Sequence, residues 1–121
     1  MKKETSSNSI NASAIIIKCS LAYTISLIGG RWKPTILWQL LNSKMRYNEL
    51  RKSIPEASER ILVAQLRELE RDGLIQRIVF AQVPPRVEYE VTDHGLTMKS
   101  LLLEMENWGN GHKNPINSDQ H

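Results

Sequence analysis

The stretch Ser58 to Ile75, SERILVAQLRELERDGLI, decides how the rest of the chain is read. Ile61, Leu62, Leu66 and Leu69 recur at helical spacing, which predicts a helix from about Ser58 to Asp72 with one buried apolar stripe. Arg60, Ala64, Arg67 and Arg71 fall in one sector on the opposite side, since successive residues turn by about 100°. Ser58 is suited to cap the helix, Glu59 complements its positive end, and Gly73 supplies the left-handed stop. Three guanidinium groups on one solvent face match phosphate oxygens and guanine edges. The alternative is an ordinary solvated surface, because Glu59, Glu68, Glu70 and Asp72 outnumber the arginines.

A chain of 121 residues, 40% hydrophobic, is the size of one domain with a real core. The net charge of +3 is unevenly spread. Arg31, Lys33, Lys44, Arg46, Arg51 and Lys52 face only Glu49 between positions 31 and 52, a local balance of +5, whereas positions 87 to 121 carry −4. Such asymmetry orients a molecule on a polyanion, while the small total excludes a sequence-blind nucleic-acid coat. Cys19 is the single cysteine, so neither an internal disulfide framework nor a cysteine-based zinc site is available, and a cytoplasmic location is expected. Asn11 and Ser13 interrupt the early apolar run, against an export signal, and no run approaches the roughly 20 residues that span a bilayer.

In chain order, residues 1–18 read as a mobile, Ser/Asn/Lys-rich arm whose Ile15, Ile16 and Ile17 pack on the core or on a second subunit. Leu21, Ile25 and Ile28 mark a first helix ended by Gly29-Gly30. Pro34 opens a second, with Ile36, Leu37, Leu40 and Leu41 on its apolar side and Trp32 and Trp38 as core or boundary aromatics. Arg46-Tyr47 reads as a brief strand, and Asn48 as the cap of a short helix to about Ile54 with Leu50 inward. Pro55 to Ala57 then separates that helix from the arginine-bearing one, which is the helix-turn-helix arrangement.

The β-branched run Leu74 to Phe80 and the alternating Val87 to Val91 make a hairpin closed by Ala81 to Arg86, with Arg86 at its tip. A hairpin directly after a recognition helix is a wing, and a basic tip fits a narrow minor groove. Thr92 is expected to cap one last helix to about Trp108, with Met98, Leu101, Leu102, Met105 and Trp108 in one stripe and Leu96 and Leu103 widening it. So small a domain cannot cover all of that, and Leu21, Ile15 and Ile16 are candidates to complete a homodimer interface. A two-fold axis would then set two recognition helices roughly 34–36 Å apart on a palindromic site.

Cys19-Ser20, LIGGRWKPTIL (27–37), RYNELRKSIP (46–55), LRELERDGLI (66–75), VPPRVEYEVTDHG (83–95) and Trp108-Gly109 together resemble the HxlR family of bacterial winged-helix transcription regulators, relatives of the MarR group. The resemblance spans about Cys19 to Lys113 and implies a mainly α fold with a small β wing, dimeric through its terminal helices; the domain is set at residues 19–117, and the polar residues 118–121 read as a disordered tail. It implies that Ser58 to Asp72 reads DNA and that Val83 to Arg86 lies in the wing. On this reading Ser58, Arg60, Ala64 and Arg67 face bases, Arg71 the backbone or only solvent, and Arg46, Arg51 and Lys52 phosphates, with Arg86 at the minor groove.

Cys19 adjoins the unpaired N–H groups at a helix start, and Lys18 adds positive charge, the setting of a reactive thiolate. In several HxlR-type regulators a cysteine at the matching position senses oxidants, quinones or aldehydes; the alternative is an inert interface residue. His94, His112 and His121 are scattered, and no metal spacing, nucleophile elbow or phosphate-binding glycine loop appears, so neither an enzyme nor a cofactor or metal is expected. The competing functional class is a winged helix that binds protein rather than DNA, in which the arginine face would be dispensable.

Overall fold

A computed structural model describes residues 19–113. Among the described residues six helices and three strands follow in order: α1 (Ser20–Ile28), α2 (Lys33–Asn42), β1 (Met45–Arg46), α3 (Tyr47–Ser53), α4 (Glu59–Arg71), β2 (Ile75–Phe80), β3 (Arg86–Val91), α5 (Asp93–Leu96) and α6 (Lys99–His112). The expectations for Ile15 to Ile17 and for the tail lie outside the described residues. The strands form one antiparallel sheet ordered β1-β3-β2, in which β3 is central because Met45 pairs with Tyr89 on one side and Arg77 pairs with it on the other.

The core is aliphatic. Ile36, Leu37 and Leu40 of α2 meet Leu50 and Ile54, the α4 stripe Leu62, Leu66 and Leu69, and then Leu74, Ile75 and Leu102. Trp32 and Trp38 pack partly buried against this cluster. Ile61 does not join it. About 100° around the helix from Leu62, it sits on the flank of the stripe and keeps 41% exposure.

Two capping assignments differ from expectation. The short helix starts two residues earlier than a cap at Asn48 implies, because the Glu49 carboxylate accepts the Arg46 N–H at 2.8 Å and Arg46 becomes the cap position. The long last helix is broken in two, since Thr92 caps only the four-residue α5 and a turn at Thr97-Met98 precedes α6. That break turns Met98 and Leu102 toward the chain's own core, and neither is on an open face. Leu101, Leu103, Met105 and Trp108 remain exposed on α6, as do Leu21, Tyr23 and Ile25 on α1, where only Ile28 is buried.

Candidate nucleic-acid interface

Ser58 lies outside α4 with extended backbone, and its hydroxyl oxygen accepts the Ile61 N–H at 3.2 Å. At the other end Gly73 adopts φ +78, Gly73 N–H donates to Glu70 O and Leu74 N–H to Leu69 O, a two-bond closure that needs a residue without a Cβ penalty. Both ends are therefore where the sequence puts them. Between them Arg60, Ala64, Arg67 and Arg71 are all exposed on one side, opposite the buried leucines.

The acidic residues that argued for a mere solvated surface are accounted for one by one. Glu59 Oε1 receives Arg51 Nη1 at 3.2 Å, Glu68 Oε1 receives Lys33 Nζ at 2.6 Å, Glu70 Oε2 lies 4.0 Å from Arg77, and Asp72 Oδ1 lies 3.3 Å from Arg71. Arg60 and Arg67 are left with no carboxylate among the described residues. Their charge is consequently free for an outside anion.

The Lys33 pair is the tightest of these and was invisible in the sequence. Lys33 is buried in the first turn of α2, and the bond it donates holds the Glu68 carboxyl below the ordinary carboxylate range. The Arg51–Glu59 pair is exposed on both sides and spans the turn between α3 and α4. Asn48, Arg51, Lys52, Pro55 and Ser58 line a surface groove at that turn, and the Lys52 ammonium is unpaired among the described residues. Arg46 is exposed on β1. Burial holds the Tyr47 phenol above its ordinary range, and its hydroxyl makes no hydrogen bond among the described residues.

The wing departs from expectation at its tip. Arg86 is not in the loop: it begins β3, pairs with Phe80, and lays its guanidinium 4.2 Å over the Phe80 ring with Nε 3.4 Å from Glu88. The tip itself presents Val83, 99% exposed. Cys19 is exposed at the cap position of α1 and its side chain makes no capping bond. Among the described residues no cluster of His, Cys, Asp or Glu is placed to hold a metal, and no helix is long and apolar enough to cross a membrane.

A helix, a helix-turn-helix and a three-stranded wing in this order match the family model of the HxlR-like helix-turn-helix over residues 27–117. The chain belongs to the HxlR family. It is 47% identical over 98 residues to the HTH-type transcriptional regulator YdeP of Bacillus subtilis (strain 168), covering 81% of this chain and 77% of that one. Among solved structures it is similar to the redox regulator HypR in its oxidized form, with a TM-score of 0.77 and 41% identity over 79% of this chain and 99% of that one. It is also similar to the reduced form of the transcriptional regulator YodB from B. subtilis, with a TM-score of 0.70 and 29% identity over 80% and 95% of the two chains. The fold is thus the winged helix of HxlR-type regulators, and the chain is a transcriptional regulator of that type, with DNA binding implied by its family.

Proposed function

We propose that this HxlR-type regulator binds a palindromic operator in double-stranded DNA as a homodimer and represses transcription from it. The observation that carries the reading is the charge pattern of α4, in which every acidic side chain has a cationic partner while Arg60 and Arg67 have none among the described residues. A helix of 13 residues with its cationic face outward has the dimensions to enter a major groove. Arg60, Ala64, Arg67 and the Ser58 hydroxyl face base edges, and Arg71 meets the backbone. Arg46 and Lys52 hold phosphates. Arg51 does so on exchanging Glu59, an exposed pair that opens at little cost. Arg86 contributes from the root of the wing rather than its tip.

Dimerisation rests on the apolar side chains that the fold leaves uncovered, Leu21 on α1 and Leu101, Met105 and Trp108 on α6. Thiol control rests on Cys19, exposed at the start of α1 in a chain similar to HypR and YodB. With one cysteine per subunit, a disulfide forms between subunits or with a small thiol.

Selection of bound duplexes from randomised sequence, followed by fluorescence anisotropy on the recovered duplex and on a random one, tests the reading. An inverted repeat bound by two chains supports it; recovery of no repeat overturns it. The thiol arm is tested with Cys19→Ser, which should abolish the change in operator affinity that diamide or a quinone produces in wild type. Equal affinities with and without oxidant in wild type defeat that arm alone.

A further inference from the structure

Lys33 is the only charged residue in the buried set among the described residues, at 6% exposure in the first turn of α2. Its partner Glu68, on α4, keeps 40% of its side chain in solvent. Withdrawing an ammonium from water is costly, and a close carboxylate does little more than offset that cost; an apolar side chain of similar length would fill the site at least as stably. What the pair adds is direction. Leu62, Leu66 and Leu69 hold α4 to the core through non-directional contacts, which permit small rotations about the helix axis. A bond of 2.6 Å between Nζ and Oε1 does not. Glu68 stands about 70° around the helix from the middle of the arginine sector, so fixing its direction fixes theirs.

We infer that Lys33 is a positioning residue for base recognition: its bond to Glu68 sets the rotation of α4, and with it the direction in which Arg60 and Arg67 leave the helix. This rests on the reading of α4 as the DNA-reading helix. Lys33 touches no DNA, and its loss acts on discrimination rather than on general attraction to phosphate.

The test compares wild type, Lys33→Met, Glu68→Ala and the double variant on the selected duplex and on a random duplex, by anisotropy at several salt concentrations, with thermal melting as the control for folding. Lys33→Met should melt near wild type, bind the random duplex as before with the same salt slope, and lose about tenfold on the selected duplex, the loss expected when a bidentate base contact is misplaced. Glu68→Ala, a truncation at a half-exposed position, should lose specificity to a similar degree, and the double variant should lose no more than Lys33→Met alone. An unchanged ratio of selected to random affinity in folded Lys33→Met or Glu68→Ala overturns the inference, as do equal losses on both duplexes. Wild type that fails to distinguish the two duplexes overturns the DNA reading along with it.

Discussion

The Thr92 hydroxyl donates to the Gly73 carbonyl at 2.6 Å, which ties the end of the wing to the turn that terminates α4. The same oxygen accepts the Gly95 N–H at 3.0 Å and caps α5, while Thr92 N–H donates to Leu74 O. One side chain therefore joins three elements. Thr92→Ala should cost about 1–2 kcal/mol of stability, the range of a lost helix cap, whereas Thr92→Ser should retain most of it. Denaturant unfolding of the two variants measures the difference.

Gly95 is held against the backbone of that same turn. A Cβ there would stand 2.1 Å from the Leu74 carbonyl oxygen, a contact no rotamer relieves. Gly95→Ala should destabilise by about 1–3 kcal/mol as an overpacked site. Gly109 is the control, because a Cβ on it meets nothing within 4 Å, so Gly109→Ala in α6 should stabilise by about 0.5–1 kcal/mol. Thermal melting of both variants reads the opposite signs.

The pH dependence follows from Glu68. Its carboxyl is depressed in the folded chain, chiefly by the bond from Lys33, so its contribution to stability is full above the ordinary glutamate value of about 4.5 and is lost as pH falls below that. Lys33→Met removes the cause. Its stability, close to wild type at neutral pH, should fall less steeply than wild type as pH drops from about 4.5, and unfolding followed by circular dichroism across that window shows whether the two curves part in the variant's favour.

Much of this was readable from residues alone. The caps of α4, its buried leucines and its arginine sector follow from local rules of periodicity and end chemistry, and these hold because the helix is amphipathic and closed by Ser58 and Gly73. What was not readable depends on contacts distant in sequence. Nothing near Lys33 announces that it is buried against Glu68, thirty-five positions later. Arg86 reads as a loop tip until β3 is registered on Phe80, after which its guanidinium has a ring to cover. Met98 and Leu102 share a periodic stripe with Met105 and Trp108, yet the turn before α6 assigns the first two to the core and leaves the others outside.

Those exposed side chains carry the expectation of a dimer. Leu21 is 70% exposed and Trp108 67% exposed, apolar surface that a second subunit would cover. Leu21→Asp and Met105→Asp lie outside the described core and should leave the chain folded while shifting it to monomer at micromolar concentration. Light scattering that finds wild type already monomeric contradicts the interface.

Arg60 and Arg67 stand apart from Lys52 in what their loss should do. Arg60→Ala or Arg67→Ala should cost about 1–3 kcal/mol on the selected duplex with little change on random DNA, as a base contact requires. Lys52→Ala should weaken both duplexes alike and flatten the salt dependence by roughly one phosphate. Footprinting of wild type on the selected duplex is the most direct measurement of the central claim. Two protected half-sites about one helical turn apart, related by inversion, are the predicted result; folded protein at saturating dose that protects no inverted repeat contradicts the account.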